Sequence, residues 1–371
     1  MEQRMRILLV DDTLNVGGKE RLVLTALKCL PRDRMSVHLC LTGGPGELGE
    51  EALSLADGSL VCNRRSPFSL STVLAVRRYI LSERIDLLHC NGTVDLLHAL
   101  AASAGTGAKL VCSVHGYASG VHLHLGRLLL KKCDAVLPVS DSLLTDLKRD
   151  GYRARLFAVI PNCYDPVFAT WPVPSSSSPA GRLRLICVSR FDASKDQITL
   201  VRALRAVVET GRDVTLDFAG SGPERFVGPV REAVSEAALA ERVRFLGTCG
   251  DIPALLRGYD AFIMSSFAES FGIAAVEAMA SGLPVILSDI PPFREILRDG
   301  GDGLLFAPGS PAAAASCISR LCDDPEMRSL LASKSIERSK TYSPEAYAMR
   351  LTGLYSRLLE GDPTPRTGRR S

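Results

Sequence analysis

The chain has 371 residues, 46% of them hydrophobic, and a formal charge of +3. That length suits two or three domains with their own cores, and the near-balance of charge offers no basis for nucleic acid as the main ligand. Eleven scattered cysteines without a Cys-x-x-Cys pair argue for a reducing compartment and against a disulfide framework or a zinc site. The apolar run Met5–Val10 is too short for a signal sequence, and no stretch of about 18 apolar residues could span a membrane. The cytoplasm is therefore the expected location.

Short apolar runs alternate with helical patterns along the first half. Strands are expected at Arg6–Val10, Ser36–Leu41, Asp86–Cys90, Lys109–Val114, Ala135–Val139 and Phe157–Ile160. Helices are expected near Glu20–Leu30, Thr72–Glu83 and Ala99–Ala104. Such alternation implies a parallel sheet covered by helices on both faces. The stretch 171–181 then has the Pro, Ser and Gly content of an exposed connection. Beyond it the pattern restarts, with strands at Leu183–Val188, Thr215–Ala219, Val243–Leu246, Ala261–Met264 and Val285–Leu287. The expected domains are 1–168 and 183–344, joined by a linker at 169–182. A last helix follows at 345–360, and the tail at 361–371 is expected to be disordered. Two doubly wound domains of this kind bind ligands at the carboxyl ends of their strands.

Chemistry-bearing residues cluster at those strand ends. Glu269-Ser-Phe271-Gly272-Ile273-Ala-Ala-Val-Glu277 sets two glutamates eight apart, the second inside an otherwise apolar helix. A helix apolar all round is expected to be buried, where a carboxylate needs a partner such as a ligand hydroxyl. The loop through Phe271 and Gly272 would aim N–H groups and the positive helix end at an anion. Arg190 and Lys195 lie just past a buried strand, where a forked guanidinium and a compact ammonium suit a diphosphate. A surface pairing of Lys195 with Asp192 is the plain alternative. Gly17 and Gly18 open the first helix and would let backbone approach a ligand. His115 ends a strand and would point into a cleft. His89 ends another, with Asn91 after it. His122 and His124 lack a visible third ligand, so no metal is expected there.

The Glu-x7-Glu segment, together with Gly282–Asp289, Arg294–Ile296 and Gly303–Phe306, resembles the signature of the retaining glycosyltransferases of family 4. That resemblance implies the GT-B fold, two Rossmann-like domains facing a central cleft, with the last helix crossing back to the first domain. It implies a sugar moved with retention from a nucleoside-diphosphate donor, most simply a UDP-sugar, to a saccharide or lipid-linked saccharide. On the same footing Glu277 would bind ribose hydroxyls, and Arg190 and Lys195 the diphosphate. Gly17 and Gly18 would lie near the donor phosphates, Glu269 would grip the transferred sugar, and His115 would help stabilise the transition state. No Asp-x-Asp occurs, so a metal-bridged diphosphate is not expected, and no cofactor is implied. Two departures bear on the sugar pocket: Pro291-Pro-Phe293 precedes Glu295 where the family often has Gly-Gly, and Ser270 follows Glu269 where Gly is frequent. A nucleotide-sugar epimerase of the same architecture and a non-catalytic binding scaffold are the rival readings. Peripheral contact with the inner membrane face fits the mild basic character.

Overall fold

A computed structural model describes residues 4–15, 17–116, 121–170, 178 and 181–360, without the side chains of 93, 94, 121–123, 169 and 170. Most of the expected linker, the side chain of His122 and the tail from 361 lie outside these residues. The chain divides into two compact units, one of Met1–Pro161 with Pro344–Ser371 and one of Asn162–Ser343.

The first unit runs β1 (Met5–Asp11), α1 (Gly18–Cys29), β2 (Met35–Leu41), α2 (Gly49–Leu55), β3 (Gly58–Val61) and α3 (Leu70–Ser82). It continues through β4 (Leu87–Cys90), α4 (Thr93–Ser103), β5 (Lys109–Val114), α5 (Val121–Leu130), β6 (Ala135–Pro138) and α6 (Asp141–Arg149). The second unit holds β7 (Arg182–Val188), α7 (Gln197–Val208), β8 (Asp213–Ala219), α8 (Glu224–Glu236), β9 (Val243–Gly247), α9 (Ile252–Leu256) and β10 (Ala261–Met264). It closes with α10 (Ile273–Ala280), β11 (Val285–Ser288), α11 (Pro291–Ile296), β12 (Leu304–Phe306), α12 (Pro311–Asp323) and α13 (Pro325–Ser339), and α14 (Pro344–Glu360) then belongs to the first unit.

Each unit is built on a six-stranded sheet, ordered β3-β2-β1-β4-β5-β6 in the first and β12-β11-β10-β7-β8-β9 in the second. Every pairing is parallel. Strands buried on both faces read as continuous apolar runs, as Leu185, Ile186 and Cys187 do in β7. Helix starts are written locally. Ser69, Ser140, Asp251, Ser310 and Asp324 each accept a hydrogen bond from a backbone N–H in the first turn of α3, α6, α9, α12 and α13.

One expected strand does not form as such. Residues Phe157–Ile160 run beside β6, with Ala158 N–H donating to Val136 O and Ile160 N–H to Pro138 O, yet only an isolated bridge at Phe157 is made. Pro138 has no N–H to return, so the ladder stops at that edge. The strand β3 and helix α2 were not anticipated. Both are short, and β3 is an edge strand whose half-buried residues carry no clear alternation.

Candidate active site

In both sheets the strand order reverses beside the first strand, between β1 and β4 and between β7 and β10. Loops leaving the carboxyl ends at such a point diverge and leave a crevice, where open α/β sheets bind ligands. In the second unit Arg190 and Lys195 follow β7, while Glu269, Gly272, Ile273 and Glu277 follow β10.

The loop after β7 is held by its own side chains. Asp192 Oδ1 accepts from Ser194 N at 2.8 Å and Ser194 Oγ at 2.6 Å. Burial raises the Asp192 carboxyl, but those hydrogen bonds, with Lys195 and Arg190 nearby, bring it below the ordinary value. Buried Gln197 donates to Arg190 O at 2.9 Å and Ser189 Oγ at 3.1 Å. Ser265 at the end of β10 donates to Asp196 O at 2.7 Å, joining the two loops. Lys195 Nζ donates to Glu269 Oε1, which also accepts from Ser266 Oγ at 3.0 Å. Both members of that pair are only 12% exposed. The surface pairing weighed for Lys195 thus falls to Arg190 instead, 3.6 Å from Asp192 with its side chain 85% exposed. One cation is fixed in a half-closed pair, and the other is exposed, with Asp192 as its ion-pair partner.

Glycines set the walls. A Cβ on Gly220 would lie 2.0 Å from Ser189 O and one on Gly222 2.2 Å from Phe191 O, so the Gly-Ser-Gly-Pro turn is required for backbone packing against the strand end. Gly272 caps α10 at φ +109°, where a Cβ would stand 2.6 Å from Phe293 Cε1. Only glycine lets the chain turn there and present the first N–H groups of α10, which have no partner within the helix.

Burial sorts this segment, and it corrects one expectation, that of a helix α10 buried on every side. Phe271 is 4% exposed and packs edge-on against Tyr342, ring centroids 5.4 Å apart. Its side chain is core, which is compatible with the backbone N–H contact expected of this loop. Helix α10 is not buried all round: Ala275, Val276, Ala278 and Met279 are buried, whereas Ile273 and Glu277 are half-buried. Residues four apart share a face, so Ile273 and Glu277 line one open stripe, and the Glu277 carboxylate avoids the full desolvation expected of a buried acid.

In the first unit Gly17 is the extended cap of α1, and a Cβ there would meet Glu20 Oε2 at 2.4 Å. His115 lies just past β5, half-buried, with Nε2 3.4 Å from Asn91 Oδ1 at the end of β4. His89 does not line a site. It is buried, bonded to Tyr355 Oη of α14 at 2.5 Å and Ser113 Oγ at 2.7 Å. Burial, then the neighbouring His115, pushes its pKa down to about 3.

A polar group missed in the sequence occupies the β1/β4 reversal. Asp11, fully buried at the end of β1, accepts from Lys19 Nζ at 3.0 Å. Burial lowers the Lys19 ammonium, but Asp11 outweighs it and holds its pKa above the usual range. Asp95 in the first turn of α4 accepts from Thr42 Oγ1 at 2.8 Å, and Arg64 Nη2 stands 2.9 Å from Asp12. Burial, then the charge of Asp11, pushes Asp95 up to about 7. The paired aspartates ending the first strand were the only signal available.

Known families match both units. Residues 16–168 match the profile of glycosyltransferase family 4, and residues 173–338 that of the group 1 glycosyl transferases. The chain belongs to the family 4 glycosyltransferases. It is 32% identical to a D-inositol 3-phosphate glycosyltransferase of Corynebacterium glutamicum, over 46% of this chain and 42% of that protein. Identity is 29% to the lipopolysaccharide core biosynthesis mannosyltransferase LpsB of Rhizobium meliloti, over 73% of this chain and 79% of that one. The chain thus spans less than half the length of the first of these relatives and most of the second. Among solved structures, Anabaena HepE in complex with UDP and glucose superposes with a TM-score of 0.78 and 24% identity, covering 95% of this chain and all of that one. A glycosyltransferase from Rickettsia africae reaches 0.81 at 18% identity, covering 97% of this chain and 100% of its own. These likenesses give this family 4 glycosyltransferase the GT-B fold.

Proposed function

We propose that this protein transfers a sugar, with retention, from a UDP-sugar to a saccharide or lipid-linked saccharide in polysaccharide or glycoconjugate assembly. The observation that carries the reading is the meeting of Lys195 and Glu269 from the loops after β7 and β10, beside exposed Arg190 and the glycine-capped start of α10. Two cations and a helix start at a sheet's switch point suit a diphosphate. The UDP and glucose in the HepE structure support the donor class.

In this reading the diphosphate lies against Arg190, Lys195 and the first N–H groups of α10. As the bond from the sugar's anomeric carbon to the diphosphate oxygen breaks, negative charge grows on that oxygen, and these groups stabilise it. The acceptor hydroxyl attacks on the same face, and the departing diphosphate oxygen takes its proton. Glu269, oriented through Oε1 by Lys195 and Ser266, accepts hydrogen bonds from sugar hydroxyls. Glu277 accepts from the ribose. His115 is assigned to the transferred sugar, and Gly17 and Gly18 to the backbone surface near the donor phosphates.

The test is a thermal-shift screen with UDP, GDP, ADP and their sugars on wild type and Glu277→Ala. A rise specific to UDP compounds that the variant loses is the expected result. No rise with any nucleotide, in protein shown to be folded, overturns the proposal.

A further inference from the structure

Asp196, the residue after Lys195, holds a backbone conformation that glycine would adopt without strain. Its φ of +46° and ψ of 44° are left-handed, and among the described residues only Asn63, Arg84 and Ala238 share a positive φ without being glycine. A Cβ crowds the following carbonyl in that region, although aspartate tolerates it better than most residues. The carboxylate adds a second cost. Its Oδ2 is buried and has no hydrogen-bond partner among the described residues. Burial pushes the carboxyl above its ordinary value, against hydrogen bonds with Thr199 and the charge of Arg202. A strained residue persists only where its surroundings over-determine it, and such residues cluster where geometry serves function.

The surroundings here are the loop after β10. Three successive carbonyls of the β7 loop accept hydrogen bonds from it. Ser194 O accepts from Phe267 N–H at 2.8 Å, Lys195 O from Ser265 Oγ at 3.2 Å, and Asp196 O from the same hydroxyl at 2.7 Å. Ser265 is 2% exposed, so its one proton is shared between two carbonyls with little competition from water. The chain is tied again on either side, Lys195 N–H to Asp192 O at 3.2 Å and Thr199 N–H to Asp196 O at 3.1 Å. Between these ties the left-handed residue reverses the chain. It leaves buried Gln197 to open α7 while the Lys195 ammonium crosses to Glu269. A negative φ at 196 would rotate Lys195 relative to α7 and away from that carboxylate.

We propose that Asp196 is a positioning residue for the transfer reaction: its left-handed turn, locked by Ser265, aims the Lys195 ammonium at Glu269 and so at the donor diphosphate. This rests on the assignment of Lys195 to the diphosphate. The carboxylate interacts with Thr199 and Arg202 on α7, so the role belongs to the backbone turn. Were Asp196 only a start signal for α7, replacing it would fray that helix and leave Lys195 paired. Ser265 separates the two roles, because its hydroxyl bonds the carbonyls of the turn and not the Asp196 side chain.

Acylation of the full chain with N-hydroxysuccinimidyl acetate, read by peptide mass spectrometry, tests this without any nucleotide. In wild type the Lys195 side chain, 12% exposed, should react about tenfold more slowly than that of Lys340, 67% exposed. Asp196→Val and Ser265→Ala should each bring Lys195 to within about threefold of Lys340, since a β-branched residue rejects the turn and alanine unlocks it. Asp196→Gly, which keeps a positive φ accessible, should restore the protection. Affinity for UDP should fall about tenfold in the first two variants. The unfolding midpoint and the acylation of Lys19, paired with Asp11 in the other unit, report that each variant is folded. Protection of Lys195 in Ser265→Ala or in folded Asp196→Val overturns the proposal. Its loss in Asp196→Gly does so too, by giving the role to the carboxylate. Exposure of Lys195 with unchanged UDP affinity would overturn the diphosphate assignment and leave the positioning standing, so the two failures are distinguishable.

Discussion

Lys195 and Glu269 lie 74 residues apart in the chain, yet the ammonium of one donates to the carboxylate of the other in a setting only 12% exposed. Neighbouring positions of β7 and β10 produce that meeting, and Ser266, bonded to the same oxygen, keeps the carboxylate in place. Removing one partner strands the other charge with little water. Glu269→Gln and Lys195→Met should therefore each cost up to about 3 kcal/mol of stability and lower kcat about 100- to 1000-fold. Urea unfolding and donor turnover check both. Activity of either variant within about threefold of wild type would remove the pair from the mechanism.

Gly272 offers a sharper structural test. Its φ of +109° and the 2.6 Å approach of a Cβ to Phe293 leave no room for alanine. Gly272→Ala should destabilise the second unit by about 1–3 kcal/mol and weaken UDP binding, because the turn that opens α10 must shift. Phe293→Ala in the same background should recover part of the binding by giving that Cβ space. Failure of Gly272→Ala to alter either quantity would show that the turn does not position the helix start.

Asp95 supplies a pH dependence with a definite sign. Its folded pKa of about 7 lies above the unfolded carboxylate value, so the folded state holds more protons in between. Its contribution therefore falls as pH rises from about 4 to about 7. Above that window the penalty is complete, on the order of 4 kcal/mol. Asp95→Asn should match wild type near pH 4 and exceed its stability at pH 8. A wild-type minus variant difference that is flat across this range would contradict the assignment.

His89 acts with the opposite sign. Its folded pKa of about 3 lies below the unfolded imidazole value, so its contribution is full above about pH 6.5 and is lost as pH falls toward the folded pKa. Tyr355→Phe removes the hydroxyl bonded to its Nδ1. That change should cost about 1–3 kcal/mol and loosen α14 from the first unit, read as faster amide exchange in 344–360. Wild-type exchange rates in the variant would mean that packing alone holds the helix.

Much of this was legible before any coordinates. Strands such as Lys109–Val114 and Ala261–Met264 form over the expected residues, because a strand buried on both faces is a largely apolar run. Helix α10 was legible as well, but its open stripe was not. Ile273 and Ala280 look as apolar as buried Val276, and only neighbours remote in sequence decide which side is covered. The same blindness made His89 look like a site residue, when it is buried against Tyr355.

The sequence by itself determined the alternation of strands and helices, the two-part organisation and the resemblance carried by the segment Glu269–Glu277, since all of these are local patterns of side-chain period and spacing. Tertiary structure decided what those residues face. Strand order sets β7 beside β10 and β1 beside β4, and from that follow the Lys195–Glu269 pair, the buried Asp11–Lys19 contact, the raised pKa of Asp95 and the burial of His89 against Tyr355. Electrostatic energy depends on distance and burial, and neither can be read from separation along the chain.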